Sequence, residues 1–105
     1  MISRHWRGTA RNEEAENYIA HLKSETFPQL ALIPGFIAAS ILQRTTDDGI
    51  EFLIVTTWES LESIQKFAGQ SAQLAVVPPA VQAMMVDYDK EVVHYELAAT
   101  YQPGL

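Results

Sequence analysis

An α+β fold with the element order βαββαβ is expected of this sequence, on three observations. Short runs rich in β-branched and aromatic residues stand at the start, middle and end of the chain (ISRHWRG, FIAASIL, FLIV, VVHYEL). The two middle runs are joined directly by a DDG turn, and the remaining gaps carry apolar residues at helical spacing. Two strands in a hairpin, flanked on each side by a helix and then a strand, form the split βαβ or ferredoxin-like arrangement, an antiparallel sheet with its helices on one face.

Each element has its own signal. Ile2 to Gly8 reads as a strand bounded by glycine, with Ile2, Arg4 and Trp6 on one parity and Ser3, His5 and Arg7 on the other. Asn12 is expected to cap a helix, with Glu13 and Glu14 in the first turn where the helix dipole favours negative charge. Ala15, Tyr18, Ile19 and Leu22 form its apolar stripe, and Pro28 interrupts it before an extension that stops ahead of Pro34 and Gly35. Phe36 to Thr45 and Ile50 to Thr57 are the hairpin strands, turning at Asp47, Asp48 and Gly49. Ser60 caps the next helix, which has Leu61, Ile64 and Ala68 on one stripe and stops at Gly69. A further helical turn opens at Pro78 and Pro79 and carries Val81, Met84, Met85 and Tyr88 inward. The last strand is expected at about Glu91 to Ala98, so that residues 1–105 form a single domain ending in a tail over 98–105.

Both hairpin strands are apolar on both parities, the pattern of a sheet covered on both faces. Only one face has helices within this chain. An uncovered apolar face marks a partner surface, and the small Ala38, Ala39 and Ser40 let a second sheet come close, so a homodimer with its sheets face to face is expected.

Composition removes several classes of function. There is no cysteine among the 105 residues, which excludes disulfides, thiolate metal sites and cysteine nucleophiles. The net charge of −6 comes with scattered basic residues, unlike a surface that tracks nucleic-acid phosphates or lies on an anionic membrane. No apolar stretch approaches the roughly 20 residues of a membrane span, and a cytoplasmic location is the default expectation. No glycine-rich phosphate loop or serine nucleophile motif occurs.

Taken together, MISRHWRG, PGF, EFLIVTTWES, KFAG, AVVPPAVQ and VVHYEL resemble the antibiotic biosynthesis monooxygenase domain over roughly residues 1 to 98. The resemblance implies a dimeric α+β barrel with a pocket between helices and sheet in each subunit. Some such proteins oxidise aromatic polyketides with dioxygen and no metal or flavin, and others cleave haem. The haem-cleaving pattern is an asparagine on the first strand, a tryptophan on the helix after the third strand and a later histidine. Here His5 stands nearest the asparagine's place, Phe67 stands at the tryptophan's, and no histidine lies between Glu59 and Val93, so haem degradation by that route is disfavoured.

Candidate residues follow from type and place. Trp58 reads either as core packing, with its indole N–H on a nearby carbonyl, or as a wall that stacks on a flat ligand. Phe67 and Tyr88 are apolar positions on helices, and Trp6 shares its strand parity with Arg4. A charge on an apolar parity is costly to bury alone, so Arg4 either faces solvent, pairs with an acid or binds an anionic ligand. Antiparallel pairing of the first and last strands makes neighbours of His5 and His94, a pair suited to proton exchange near neutral pH. The three histidines lack metal-ligand spacing, and Asp87, Asp89 and Glu91 read as a solvated acidic run. The expectation is a monooxygenase needing no cofactor or metal that oxidises a small aromatic compound in a pocket formed by Trp6, Trp58, Phe67 and Tyr88, with His5, Arg4 or His94 as the polar catalytic group. The alternative is a non-catalytic small-molecule-binding or stress-related barrel, and haem binding without cleavage is a third reading.

Overall fold

The computed structural model describes residues 1–104; Leu105, the last residue of the expected tail, lies outside them. β1 (Ile2–Ala10) is the centre of the sheet and pairs antiparallel with β3 (Ile50–Trp58) along its whole length, from Ile2 opposite Trp58 to Ala10 opposite Ile50. β2 (Phe36–Thr45) lies outside β3. On the other side of β1, β4 (Met85–Tyr88) and β5 (Val93–Glu96) sit one behind the other. The order β2-β3-β1-β4, antiparallel throughout, is the expected ferredoxin-like α+β sheet.

Side chains alternate across a strand, so β1 sends Arg4, Trp6 and Gly8 to one face and Ser3, His5 and Arg7 to the other. The first set is buried and the second half-buried. β3 repeats the division, with Phe52, Ile54, Thr56 and Trp58 buried on the helix side and Leu53, Val55 and Thr57 half-buried on the open side.

Between β1 and β2 the chain forms one continuous helical segment of uneven pitch. A 3₁₀ turn (Asn12–Glu14) leads into α1 (Ala15–His21), a π turn (Leu22–Thr26) and α2 (Phe27–Leu30). The expected stripe packs on the sheet: Ala15, Tyr18 and Leu22 are buried. Pro28 widens the helix rather than ending it. It has no N–H to give the carbonyl of Ser24 and its ring would press on that group, and the preceding turn opens so that the Phe27 N–H bonds to the Leu22 carbonyl instead. Asn12 does not cap the helix. The strand runs on to Ala10, so Arg11 takes the extended cap backbone (φ −59°, ψ 145°) and no side chain caps the helix end. The Arg11 side chain donates to the Ala83 carbonyl at 2.7 Å and to Glu13 at 3.2 Å.

α3 (Leu61–Ala68) begins and ends as its sequence indicates. The Ser60 Oγ accepts from the Ser63 N–H at 3.2 Å, and Gly69 closes the helix with φ 83°. Gly35 explains the PGF bend before β2. Its φ is 97°, an added Cβ would run into the Ser63 side chain, and its carbonyl accepts the Glu59 N–H at 2.8 Å, which ties the bend to the start of α3.

The C-terminal third departs from expectation. α4 (Pro79–Gln82) is a single turn that buries Val81, and Met85 to Tyr88 is the strand β4 rather than more helix. The MVDY run alternates as a strand does at its ends, Met85 buried opposite Ala10 and Tyr88 opposite Gly8, while a bulge passes Val86 out to solvent. Asp87 and Asp89 are not a helix exit: they hold Arg7 across the sheet at 3.0 and 3.1 Å. The final strand is shorter than expected because the chain leaves the sheet at Asp89–Val92. There the segment before α4 crosses over it, with the Ala75 N–H bonded to the Lys90 carbonyl at 2.9 Å and the Val92 N–H to the Gln73 carbonyl at 2.8 Å. Among the described residues no helix is long and apolar enough to cross a membrane.

Candidate functional site

A cleft lies between the helix-side face of β1 and β3, the first helical segment and the crossing segment near residue 76. It consists of two adjoining hollows of about 80 and 120 Å³, sharing Trp6, Tyr18, Leu22, Thr26, Phe67 and Val76. The π turn forms part of the wall through Leu22 and Thr26. Gly8 helps to seat the main aromatic wall: an added Cβ would collide with the Trp6 ring, so the indole lies over this glycine. The Trp6 Nε1–H donates to the Asp89 carbonyl at 2.8 Å, which fixes the ring.

Arg4 is the only charged residue among those lining the two hollows. It is 5% exposed, and no carboxylate pairs with it among the described residues. One Nη donates to the Ala72 carbonyl and to His94 Nε2 (3.0 Å), and the other to the Leu74 carbonyl at 2.9 Å. The guanidinium carbon lies 5.7 Å from the centre of the Phe67 ring, within cation–π reach. A guanidinium has five N–H groups, and these contacts use three. Burial lowers the Arg4 pKa to about 10, which leaves it cationic at neutral pH. Of the three expectations for Arg4, solvent exposure is excluded, and among the described residues an acid partner is too.

His94 sits opposite Arg4 in the β1–β5 register, while His5 sits opposite Val93. The two histidines therefore face opposite sides of the sheet, and the expected pair does not form. Sequence placed the strands side by side but not their register, and a shift of one residue exchanges faces. His94 accepts from Arg4 through Nε2, so that nitrogen carries no proton; burial, and then the charge of Arg4, hold the imidazole below its ordinary pKa. His5 lies on the open face, with Nε2 2.7 Å from Ser3 Oγ and its ring 4.9 Å from that of Tyr95. It does not reach the cleft.

The aromatic candidates divide as well. Trp6 and Phe67 line both hollows. Trp58 is fully buried, donates its Nε1–H to Thr56 Oγ1 at 2.9 Å, stacks on Phe67 at 6.1 Å and meets Phe36 edge-on at 5.3 Å. It backs the wall instead of forming it, and its N–H partner is a hydroxyl rather than a carbonyl. Tyr88 lies behind Trp6, with ring centres 6.4 Å apart, and lines neither hollow.

One residue of the cleft was read only as helix packing. Tyr18 is 2% exposed and lines both hollows. A tyrosine on a buried stripe carries a polar O–H at the end of an apolar ring, which is the sequence signal that sets Tyr18 apart from Ala15 and Leu22. Burial pushes its ionisation far above the ordinary range, so the hydroxyl stays a neutral donor. The described residues contain no group of three or more side chains able to hold a metal ion.

Solved structures with the same fold include one from Bacillus cereus assigned as an antibiotic biosynthesis monooxygenase, with 16% identity, 99% of this chain and 97% of that one covered, and a TM-score of 0.67. A Nitrosomonas europaea protein with the same assignment has 14% identity over 94% of this chain and 100% of its own, with a TM-score of 0.70. SnoaB, a cofactor-independent oxygenase from Streptomyces nogalater, has 16% identity, covers 98% and 97% of the two chains, and has a TM-score of 0.65. At such identities these likenesses establish the fold alone. No curated protein matches the chain. The family model described as antibiotic biosynthesis monooxygenase matches residues 1–79, three quarters of the sequence, and the chain thus belongs to that family.

Proposed function

We propose that this protein is a monooxygenase that needs no cofactor and oxidises a small, flat, electron-rich aromatic compound of the polyketide or quinol type. The observation that carries the reading is a cleft with aromatic walls, Trp6 and Phe67, whose polar groups include one buried cation, Arg4, and the Tyr18 hydroxyl. Membership of the monooxygenase family and the fold shared with a cofactor-independent oxygenase support it. In such a reaction the ionised substrate supplies the electrons. One passes to dioxygen, the two radicals join in a carbon–oxygen bond, and the peroxide loses water as a carbonyl forms, so that a CH₂ group and O₂ become C=O and H₂O. The protein's share is to hold the ring, exclude water and stabilise the anion.

The expected result is substrate-dependent oxygen uptake when hydroquinones and anthrone-like compounds are added to purified protein freed of metals. Uptake no faster than in buffer would sink the catalytic reading. A non-catalytic binding barrel is the second reading, favoured by the lack of any carboxylate or histidine among the residues lining the two hollows. It predicts ring binding, seen as quenching of tryptophan fluorescence, with no uptake.

The open sheet face supports a homodimer with its sheets packed together. Leu42, Val93 and Tyr95 are about half exposed on that face, beside the small Ala38 and Ser40. Sedimentation at micromolar protein tests this, and a lone 11.7 kDa species would contradict it.

A further inference from the structure

We infer that the cleft takes its aromatic ligand as an anion, with the ionised oxygen held by the two free N–H groups of Arg4 and within reach of the Tyr18 hydroxyl. This rests on the aromatic-ligand reading above but not on turnover. The argument begins with charge. The chain carries −6 overall, yet the only charged side chain lining the cleft is positive. Every other arginine outside the cleft has acidic partners: Arg7 meets Asp87, Asp89 and Glu51, Arg11 meets Glu13 and Glu14, and Arg44 meets Glu51. Arg4 is the most buried of the four and has none among the described residues.

Its surroundings leave the charge unanswered. The carbonyls of Ala72 and Leu74 are neutral acceptors, and His94 accepts through an unprotonated nitrogen, so no contact contributes negative charge. Phe67 on α3 offers only its ring face. Tyr18 on α1 remains a neutral donor, and the crossing segment from Ala72 to Val76 holds no ionisable side chain. A buried ion is stable when paired and hydrogen-bonded, and a ligand oxyanion completes both conditions. Tyr18, an uncharged donor, lines the same hollow as Arg4, and a cation with a second donor is what an oxyanion needs.

The consequence is chemical. A phenol or enol entering this cleft gives up its proton to solvent, because the anion alone gains the charge-assisted bonds, and no side-chain base is required. That accounts for a cleft without a carboxylate or histidine in its lining. It also meets the requirement of oxygenation by dioxygen alone, since the anion is the better electron donor.

The test uses three dyes of one shape: 4-nitrophenol, 4-nitrobenzoate and the neutral 4-nitroanisole. Binding to the full-length protein is followed by absorbance and tryptophan quenching across pH. The expected result is that the ionised phenol binds about tenfold or more tightly than the anisole, and that the phenol's own pKa falls by about one unit or more on binding. Equal affinity for phenolate and anisole, or a bound phenol titrating as it does in water, would overturn the inference. Comparable binding of the benzoate would extend the preference to carboxylates, and its exclusion would confine it to phenolic oxygen; both keep the anion. Arg4→Gln is expected to abolish the preference and Arg4→Lys to restore part of it. The dye comparison stands on the unaltered protein if either variant fails to fold. Because oxygen uptake is never read, an inert protein that prefers phenolate would refute the monooxygenase reading and leave this one intact.

Discussion

The two faces of β1 carry adjacent residues to opposite ends of the protein's chemistry. Arg4 and Trp6 look toward the helices, where the cation is 5% exposed and the indole 9%. Ser3 and His5 look away, bonded to each other, with the His5 ring tilted against that of Tyr95, which is itself 56% exposed. Neither set is more polar than the other in sequence. The difference is what lies above them. Over Arg4 and Trp6 stand Tyr18, the widened turn before Pro28 and Phe67, which cover them while leaving two small hollows. No helix covers His5 among the described residues; its ring meets the Tyr95 side chain of the neighbouring strand. The arginine on the covered face is a buried charge, and a buried charge, less screened by water, has more influence on a ligand than one on the open face.

The contrast can be broken hardest on the covered side. Trp58→Ala removes a fully buried indole packed on Phe67 and Phe36, and should lower stability by about 3–5 kcal/mol, measured from urea unfolding midpoints. A loss under about 1 kcal/mol would mean that the helix-side core does not hold this wall. A smaller effect sits at the border of the two faces. The folded chain holds His94 below its ordinary pKa, so the unfolded chain takes up a proton at the higher pH. Stability should therefore be full above about pH 6.5 and fall as the pH drops below that value. His94→Gln keeps an acceptor for Arg4 and should flatten that slope, seen by comparing unfolding midpoints at about pH 7.5 and 5.5. The smallest effect is expected on the open face. His5→Ala should change stability by no more than about 0.5 kcal/mol and leave ligand binding and oxygen uptake unaltered. A loss of uptake in that variant, with the protein still folded, would erase the distinction between the faces.

Much of this was legible beforehand because it depends on period and punctuation. The parity of Phe52, Ile54, Thr56 and Trp58, the cap at Ser60, the stop at Gly69 and the DDG hairpin are local properties, and each appears where its residues indicate. Pro28 was legible as a disturbance but not as a π turn, since whether a proline ends a helix or widens it depends on whether the turns on both sides are packed down. Met85 to Tyr88 read as helix because two methionines and a tyrosine at that spacing fit either period. The free edge of β1 settled the matter by offering hydrogen bonds that only a strand can take. The acidic run was misread for the same reason, since Arg7 reaches Asp87 and Asp89 only across that edge.

By itself, then, the sequence determined the element order as far as α3, the apolar parities, the family and the presence of an awkward charge at Arg4. All are consequences of residue type and spacing along one dimension. Only the tertiary structure decided that His94 rather than His5 meets Arg4, that Trp58 backs the cleft while Trp6 lines it, and that Tyr18 lines the same space. Those outcomes turn on a one-residue register and on a helix lying across a sheet. Interactions between residues about ninety positions apart are fixed by packing of the whole chain, and no local pattern encodes them.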